Sequence, residues 1–186
     1  MRKMLLTSAG FENEHILSSF LALVDKAPQD IRTAFVPTAA IDQEAKAVLP
    51  KCWFDLFKAG IAWSNITIYD LDRPSSPEIL DNCDAVYVCG GDTRHLLSRI
   101  NQTTFDKALN KFLNGGGVYV GVSAGSVAAA SNLEGNLEWF PYELRVHCQY
   151  GTPLGDLHLP PGDTVSLTND QAVLIVGERR QVIGKA

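Results

Sequence analysis

The chain has 186 residues, 46% apolar and 20% charged, with a formal net charge of −5; that is enough for one domain whose core holds without disulfides or metal. The acidic balance argues against a nucleic-acid or anionic-membrane partner, since both call for a basic face. Four scattered cysteines, Cys52, Cys83, Cys89 and Cys148, read as reduced thiols of a cytoplasmic protein. No apolar run reaches the roughly 20 residues of a membrane span, and the N-terminal apolar stretch is too short for a signal peptide.

In chain order, Met4 to Thr7 reads as a buried strand closed by Ser8-Ala9-Gly10, and His15 to Val24 as a helix with Ile16, Phe20, Leu21 and Val24 near one face. Ala34 to Val36 is a second strand stopped by Pro37. Gln43 to Lys58 is helical in pattern, with Pro50 expected to kink or split it. Asn65 to Leu71 alternates as a third strand, and Ser76-Pro77 starts a short helix, with Ser as N-cap and Pro in the first position. Ala85 to Val88 is a fourth strand running into Gly90-Gly91. The helical stretch after it breaks near Asn101 to Thr104 and stops at Gly115-Gly116-Gly117. That triple glycine precedes a strand, so it is a helix stop and not a phosphate loop, which needs glycines between strand and helix. Val118 to Val122 is a fifth strand, followed at once by Ser123 and a small-residue helix, Ala124 to Ala130.

Strands apolar throughout and separated by helices mean that both faces of a sheet are covered. The fold class is therefore α/β, a doubly wound and mainly parallel sheet flanked by helices. Beyond Ser131 short strands are expected at Leu144–Cys148, Thr164–Leu167, Ala172–Val176 and Gln181–Ile183. Gly177 to Arg180 reads as a hairpin turn, and Gly151 to Gly162 as a Gly- and Pro-rich loop. With no repeat and no linker, residues 1–186 are read as a single domain.

The sharpest chemical feature is Gly121-Val122-Ser123-Ala124-Gly125, a G-x-S-x-G sequence between an apolar strand and a small-residue helix. Such a turn presents the serine at the carboxyl edge of the sheet, where α/β folds bind ligands. It also aims the N-terminus of the new helix at a developing oxyanion. Without chemistry, the same residues make an ordinary strand-to-helix turn. The second feature is Cys89-Gly90-Gly91-Asp92-Thr93. A turn at Gly91 suits a second oxyanion N–H beside that of Ala124, while Asp92 or Thr93 caps the following helix.

A serine nucleophile needs a base, and the candidates are His15, His95, His147 and His158. His147, in a short strand among apolar neighbours, is preferred over His158 in the Pro-rich loop. Asp170, Glu138 and Glu134 are open candidates for the carboxylate that orients it. No metal is expected: Asp156, His158 and Asp163 lie close together in sequence but form no ligand pattern. No other cofactor is expected.

These residues resemble the peptidase E (aspartyl dipeptidase) and cyanophycinase family of serine peptidases. The resemblance runs through Leu5-Leu6-Thr7-Ser8, Phe35 to Ala39, Val88 to Thr93, Leu96-Leu97, Gly121 to Ser126 and Leu167 to Ala172. It implies a class I glutamine-amidotransferase-like fold with serine as nucleophile. Ser123 is then the nucleophile, His147 the base, and the N–H groups of Gly91 and Ala124 the oxyanion donors. Asp170 is put forward as the acid, with Glu138 as the alternative. The substrate implied is a small peptide with aspartate on the N-terminal side of the scissile bond, cleaved without metal. Apart from the resemblance, a monomer or homodimer is expected. Arg94 and Arg145 are the cations available by position for that aspartate. The chain is short for the family, trimmed between Ser123 and His147. A non-catalytic ligand-binding or regulatory member of the fold, and a serine esterase or amidase of other specificity, are the alternatives.

Overall fold

The computed structural model describes residues 1–73 and 76–185. Five strands, β1 (Lys3–Thr7), β2 (Thr33–Val36), β3 (Ile66–Ile68), β4 (Ala85–Val88) and β5 (Val118–Val122), pair in parallel. Connecting and flanking them are α1 (Glu14–Val24), α2 (Gln43–Lys58), α3 (Thr93–Gln102), α4 (Phe105–Asn114) and α5 (Ala124–Ala129). The C-terminal part adds β6 (Glu143–Arg145), β7 (Gly155–Asp156), β8 (Thr164–Ser166), β9 (Gln171–Val176) and β10 (Arg179–Gly184). The order in the main sheet is β3-β2-β4-β5-β1-β9-β10-β7, the last three antiparallel to their neighbours; β6 and β8 form a separate parallel pair. This is the α/β class the pattern predicts.

The alternation of side chains along each strand builds two cores. On one face Met4, Leu6, Val36, Val86, Val88 and Tyr119 meet Leu96 and Ile100 of α3, Phe105 and Leu109 of α4, and Ala128 of α5. On the other, Leu5, Phe35, Tyr87, Val120 and Val122 meet Ile16 and Phe20 of α1 and Cys52 and Leu56 of α2. Side-chain oxygens of Asn13, Asp42 and Asp92 accept from Ile16, Ala45 and His95 N–H and so cap α1, α2 and α3, each worth about 1 kcal/mol.

Several elements differ from expectation. Pro50 sits inside α2, which is nonetheless one helix; Pro50 itself is exposed, so the ring projects into solvent. The third strand ends at Ile68, because Tyr69 and Leu71 turn inward to the core. The strand expected to reach Cys148 stops at Arg145, since His147 has φ 57°, outside extended geometry. Inside the Gly- and Pro-rich loop, Gly155–Asp156 pairs with β10, an edge no local pattern announces. Among the described residues no helix is long and apolar enough to cross a membrane.

Candidate active site

The carboxyl ends of β4, β5 and β1, three neighbours in the sheet, converge on one point. At the end of β5 the chain turns into α5 through Ser123, at φ 49° and ψ −107°. A non-glycine residue there is strained by roughly 1–3 kcal/mol, so the surroundings must hold it. They do so through the last residue of β1. Ser123 N–H (3.1 Å) and Ser126 Oγ (2.7 Å) both donate to the Thr7 carbonyl, and Thr7 Oγ1 donates to the Gly121 carbonyl at 2.9 Å. A Cβ at Gly125 would run into the Val88 carbonyl, which explains the glycine two residues after the serine.

The Gly90-Gly91 turn after β4 lies against Ser123; a Cβ on Gly90 would stand 3.2 Å from that of Ser123. Gly91 has φ 138°, and a Cβ there would collide with the backbone of Ala39, so the position requires glycine. Among the described residues neither Gly91 N–H nor Ala124 N–H has a backbone or side-chain acceptor in the protein. Ala124 opens α5, where the first N–H groups have no intrahelical partner. The local field is therefore set for an anion beside Ser123.

The remaining partners come from the C-terminal part. The parallel strands β6 and β8 run toward the same edge, and the Cys148 N–H to Leu167 carbonyl bond (2.9 Å) keeps the chains leaving them together. His147 follows the first strand and Asn169 the second. Because β9 is antiparallel to β1, it starts where β1 ends, which puts the loop before it at the carboxyl edge. His147 Nε2 lies 3.0 Å from Ser123 Oγ and Nδ1 lies 2.7 Å from Asn169 Oδ1. An amide oxygen only accepts, so Nδ1 carries the proton and Nε2 is left free to accept from the serine hydroxyl. The left-handed backbone of His147 is fastened by its N–H, which donates to Ser8 Oγ at 2.7 Å. Ser8 is buried, whereas His147 and Asn169 are exposed.

Of the candidate histidines, only His147 meets Ser123. His15 lies 3.4 Å from the Gly184 carbonyl, His95 pairs with Asp72 at 2.9 Å, and His158 is exposed in its loop. The acid assignment changes. Asp170 is exposed and engages neighbours through its backbone carbonyl, which accepts from Asn13 Nδ2 and Lys185 N–H. Glu138 and Glu134 are exposed and make no hydrogen bond to His147. The group at Nδ1 is the residue before Asp170, an amide. A search confined to carboxylates passes over it, although Asn169 stands inside the Leu167-to-Ala172 motif. Ser8 was readable only as a strand terminator.

The arginines also fall elsewhere. Arg94 lines a separate hollow with Asn101, Asn132 and Glu134, and Arg145 is exposed and not among the residues lining the Ser123 cleft. That cleft, about 490 Å³, is walled by Ser8, Gly90, Gly91, His147 and Asn169 on the Ser123 side and by α2 on the other. Among the described residues no cluster of three His, Cys, Asp or Glu side chains is arranged to hold a metal; Asp156 pairs with Arg179. Beneath the cleft, Asp55 Oδ2 accepts from Phe11 N–H (2.9 Å) and Tyr87 OH (2.8 Å). Burial raises its carboxyl above the usual range, against the pull of those hydrogen bonds. Burial likewise pushes the Cys89 thiol well up, so this neighbour of Gly90 stays a thiol and not a thiolate.

A mainly parallel α/β sheet with a serine on a strained strand-to-helix turn, faced by an imidazole, defines a class of hydrolase-like sites. Residues 4–138 match peptidase family S51, and the chain belongs to that family. It is 32% identical over 121 residues to Peptidase E of Streptomyces coelicolor, covering 64% of this chain and 46% of that protein. It is 26% identical over 137 residues to an uncharacterized peptidase of Pasteurella multocida, covering 72% and 63%. The matches thus span less than two thirds of the length of these relatives. A crystal structure from Listeria monocytogenes superimposes over 100% of both chains with a TM-score of 0.79 at 20% identity. The structure of a peptidase from an acI-B1 Actinobacterium covers 100% of this chain and 88% of that one, with a TM-score of 0.71 at 16% identity. At these identities the two structures speak to the fold alone.

Proposed function

We propose that the protein is a serine peptidase that hydrolyses small peptides through an acyl-enzyme on Ser123. The observation that carries this is the 3.0 Å contact between Ser123 Oγ and His147 Nε2, made by a serine held at positive φ beside two unused N–H groups. His147 takes the hydroxyl proton as Oγ attacks the scissile carbonyl. The N–H groups of Gly91 and Ala124 receive the oxyanion. The imidazolium then protonates the leaving amine, and water, activated by the same histidine, releases the acid. Asn169 fixes the tautomer but brings no charge to offset the imidazolium. A cleft of about 490 Å³ is in the range that encloses small ligands, which favours short peptides over protein chains.

Selectivity for aspartate on the N-terminal side of the bond, which the resemblance implies, needs a cation near Ser123. Arg94 and Arg145 do not line the cleft, and Lys51, which does, is ion-paired with Glu12. The catalytic proposal therefore stands apart from that specificity.

The test is labelling by a fluorophosphonate followed by intact mass. The folded protein is expected to gain one adduct, mapped to Ser123, that is absent in Ser123→Ala and slowed by about a thousandfold or more in His147→Ala. No adduct on the folded protein, or an equal adduct on Ser123→Ala, overturns the proposal.

A further inference from the structure

The reaction steps above use no thiol, yet two of the four cysteines meet beneath the Ser123 cleft. The helix α2 connects β2 to β3, which pair in parallel, so it runs against the strands. Tyr87 OH donates to Asp55 Oδ2 at 2.8 Å and fixes the register of α2 against β4. Cys52 lies three residues before Asp55, and Cys89 two residues after Tyr87. Three helical residues rise about 4.5 Å and two strand residues about 6.7 Å. Going back along α2 and forward along β4 leads to the same edge. Both cysteines therefore enter one core, with Phe35, Leu56 and Val122. There the thiols are hydrogen-bonded to each other, Cys89 S–H donating to the Cys52 sulfur.

The two differ in access and in acidity. Cys52 is 4% exposed and lines the cleft, whereas Cys89 is wholly buried. The hydrogen bond from Cys89 draws the Cys52 thiol below its ordinary range, against burial and the Asp55 carboxyl and with help from Lys51. A small oxidant entering the cleft thus meets the more acidic thiol first, with a second thiol in reach. The other cysteines are placed differently. Cys83 stands before β4, at the opposite end of that strand, and burial pushes its thiol up to about 11. Cys148 Sγ donates to the Val146 carbonyl at 3.7 Å.

We infer that Cys52 and Cys89 form a modification site, at which hydrogen peroxide joins them in a disulfide that slows reaction at Ser123. The Cys52 sulfur attacks one peroxide oxygen, the O–O bond breaks, and the departing hydroxide takes the thiol proton as water, leaving a sulfenic acid. The Cys89 sulfur then attacks the Cys52 sulfur. The S–S bond forms, the S–O bond breaks, and hydroxide leaves as water with the Cys89 proton. Both sulfurs are oxidised and both peroxide oxygens reduced. Bonded sulfurs stand closer than hydrogen-bonded ones, so the step draws the end of β4 toward α2. The Gly90-Gly91 turn starts at that point, with Gly90 against Ser123 and Gly91 against Ala39, and its N–H is shifted from the oxyanion position. The slowing rests on Ser123 being the nucleophile; the disulfide does not.

The test treats the folded full chain with hydrogen peroxide, blocks the remaining thiols and maps peptides without reduction. One pair of peptides joined through Cys52 and Cys89 is expected, with Cys83 and Cys148 recovered as blocked thiols. Ser123 modification by the fluorophosphonate should slow by about a hundredfold, as for loss of one oxyanion donor. A dithiol reductant should restore it, which it does not do for oxidised methionine. In Cys52→Ala, peroxide should leave the rate where it stands in the untreated variant. Unjoined Cys52 and Cys89 after treatment, or a different pairing, overturn the modification site and leave the Ser123 proposal standing. A Cys52–Cys89 disulfide with an unchanged fluorophosphonate rate overturns the control over Ser123. A protein that takes no fluorophosphonate before treatment removes the nucleophile and the slowing with it, and the mapping still decides the disulfide.

Discussion

Ser123 and His147 stand 3.0 Å apart, yet they are held by different parts of the molecule and by different means. The serine belongs to the parallel frame. Its strand is buried along its whole length, Thr7 ties its backbone to β1, and Gly121 and Gly125 leave no room for movement. The histidine belongs to a two-stranded arm, β6 and β8, outside the main sheet. It is exposed, has positive φ, and hangs on one hydrogen bond to Ser8 and one to Asn169. The serine is thus set by packing and the histidine by single polar contacts. Rate should respond to small changes in the arm that stability does not register, while changes under the frame should register in stability.

The largest effect is expected at the joint between the two regions. Ser8→Ala removes the buried oxygen that accepts the N–H of the exposed His147 and so frees the left-handed backbone that aims the imidazole. An imidazole misplaced by about 1 Å loses up to about a hundredfold in rate. The rate of Ser123 modification should therefore fall by about ten- to a hundredfold. Ser8→Thr, which keeps the hydroxyl, should recover most of it. A Ser8→Ala protein that labels at the wild-type rate would show that the arm holds itself in place.

A smaller change, of opposite sign, is expected within the arm. Asn169→Asp puts a carboxylate where an amide oxygen now accepts from Nδ1–H at 2.7 Å. A negative charge there stabilises the imidazolium. That should speed modification at alkaline pH by on the order of tenfold. It should also move the acid limb of the pH–rate profile to higher pH, since the histidine then holds its proton more tightly. Profiles of the two proteins that superimpose would break the assignment of Asn169 to this position.

The same division decided what could be read from the amino acids. The frame is written in local pattern: apolar runs set β1, β2, β4 and β5, three caps start α1, α2 and α3, and Gly121 to Gly125 marks the turn. The serine and the Gly90-Gly91 turn were legible for that reason. In the arm, Glu143–Arg145 and Thr164–Ser166 are three residues each, too short for a period to show, and their parallel pairing is a long-range event. His147 could be singled out as a polar residue among apolar ones, but its partner could not. Asp170 carries the charge and Asn169 the contact, and only the register at which β9 begins separates them. Cys52 and Cys89 are likewise brought together by the fold, one on α2 and the other after β4.

The smallest expected effect lies under the frame and concerns pH. Asp55 is 2% exposed, and burial raises its carboxyl above the usual value. The unfolded chain releases this proton in the ordinary carboxylate range, near pH 4; the folded protein releases it only at a higher pH. Between those two values the folded state binds more protons, so stability declines as pH rises and levels off once the folded carboxyl has ionised. Asp55→Asn cannot titrate, and its amide oxygen can still accept from Phe11 N–H and Tyr87 OH. Its melting temperature should therefore lack this decline and gain on the wild type as pH rises from about 4 toward neutrality. The rate of Ser123 modification should change far less than in Ser8→Ala, because Asp55 bonds Phe11 and Tyr87 and is neither among the residues lining the cleft nor a partner of His147. Parallel melting curves for the two proteins across that window would mean that Asp55 ionises in the folded protein as it does in the unfolded chain. The loop from Ser8 to Phe11 would then be held by an ordinary carboxylate, and the frame would be no more sensitive to proton binding than the arm.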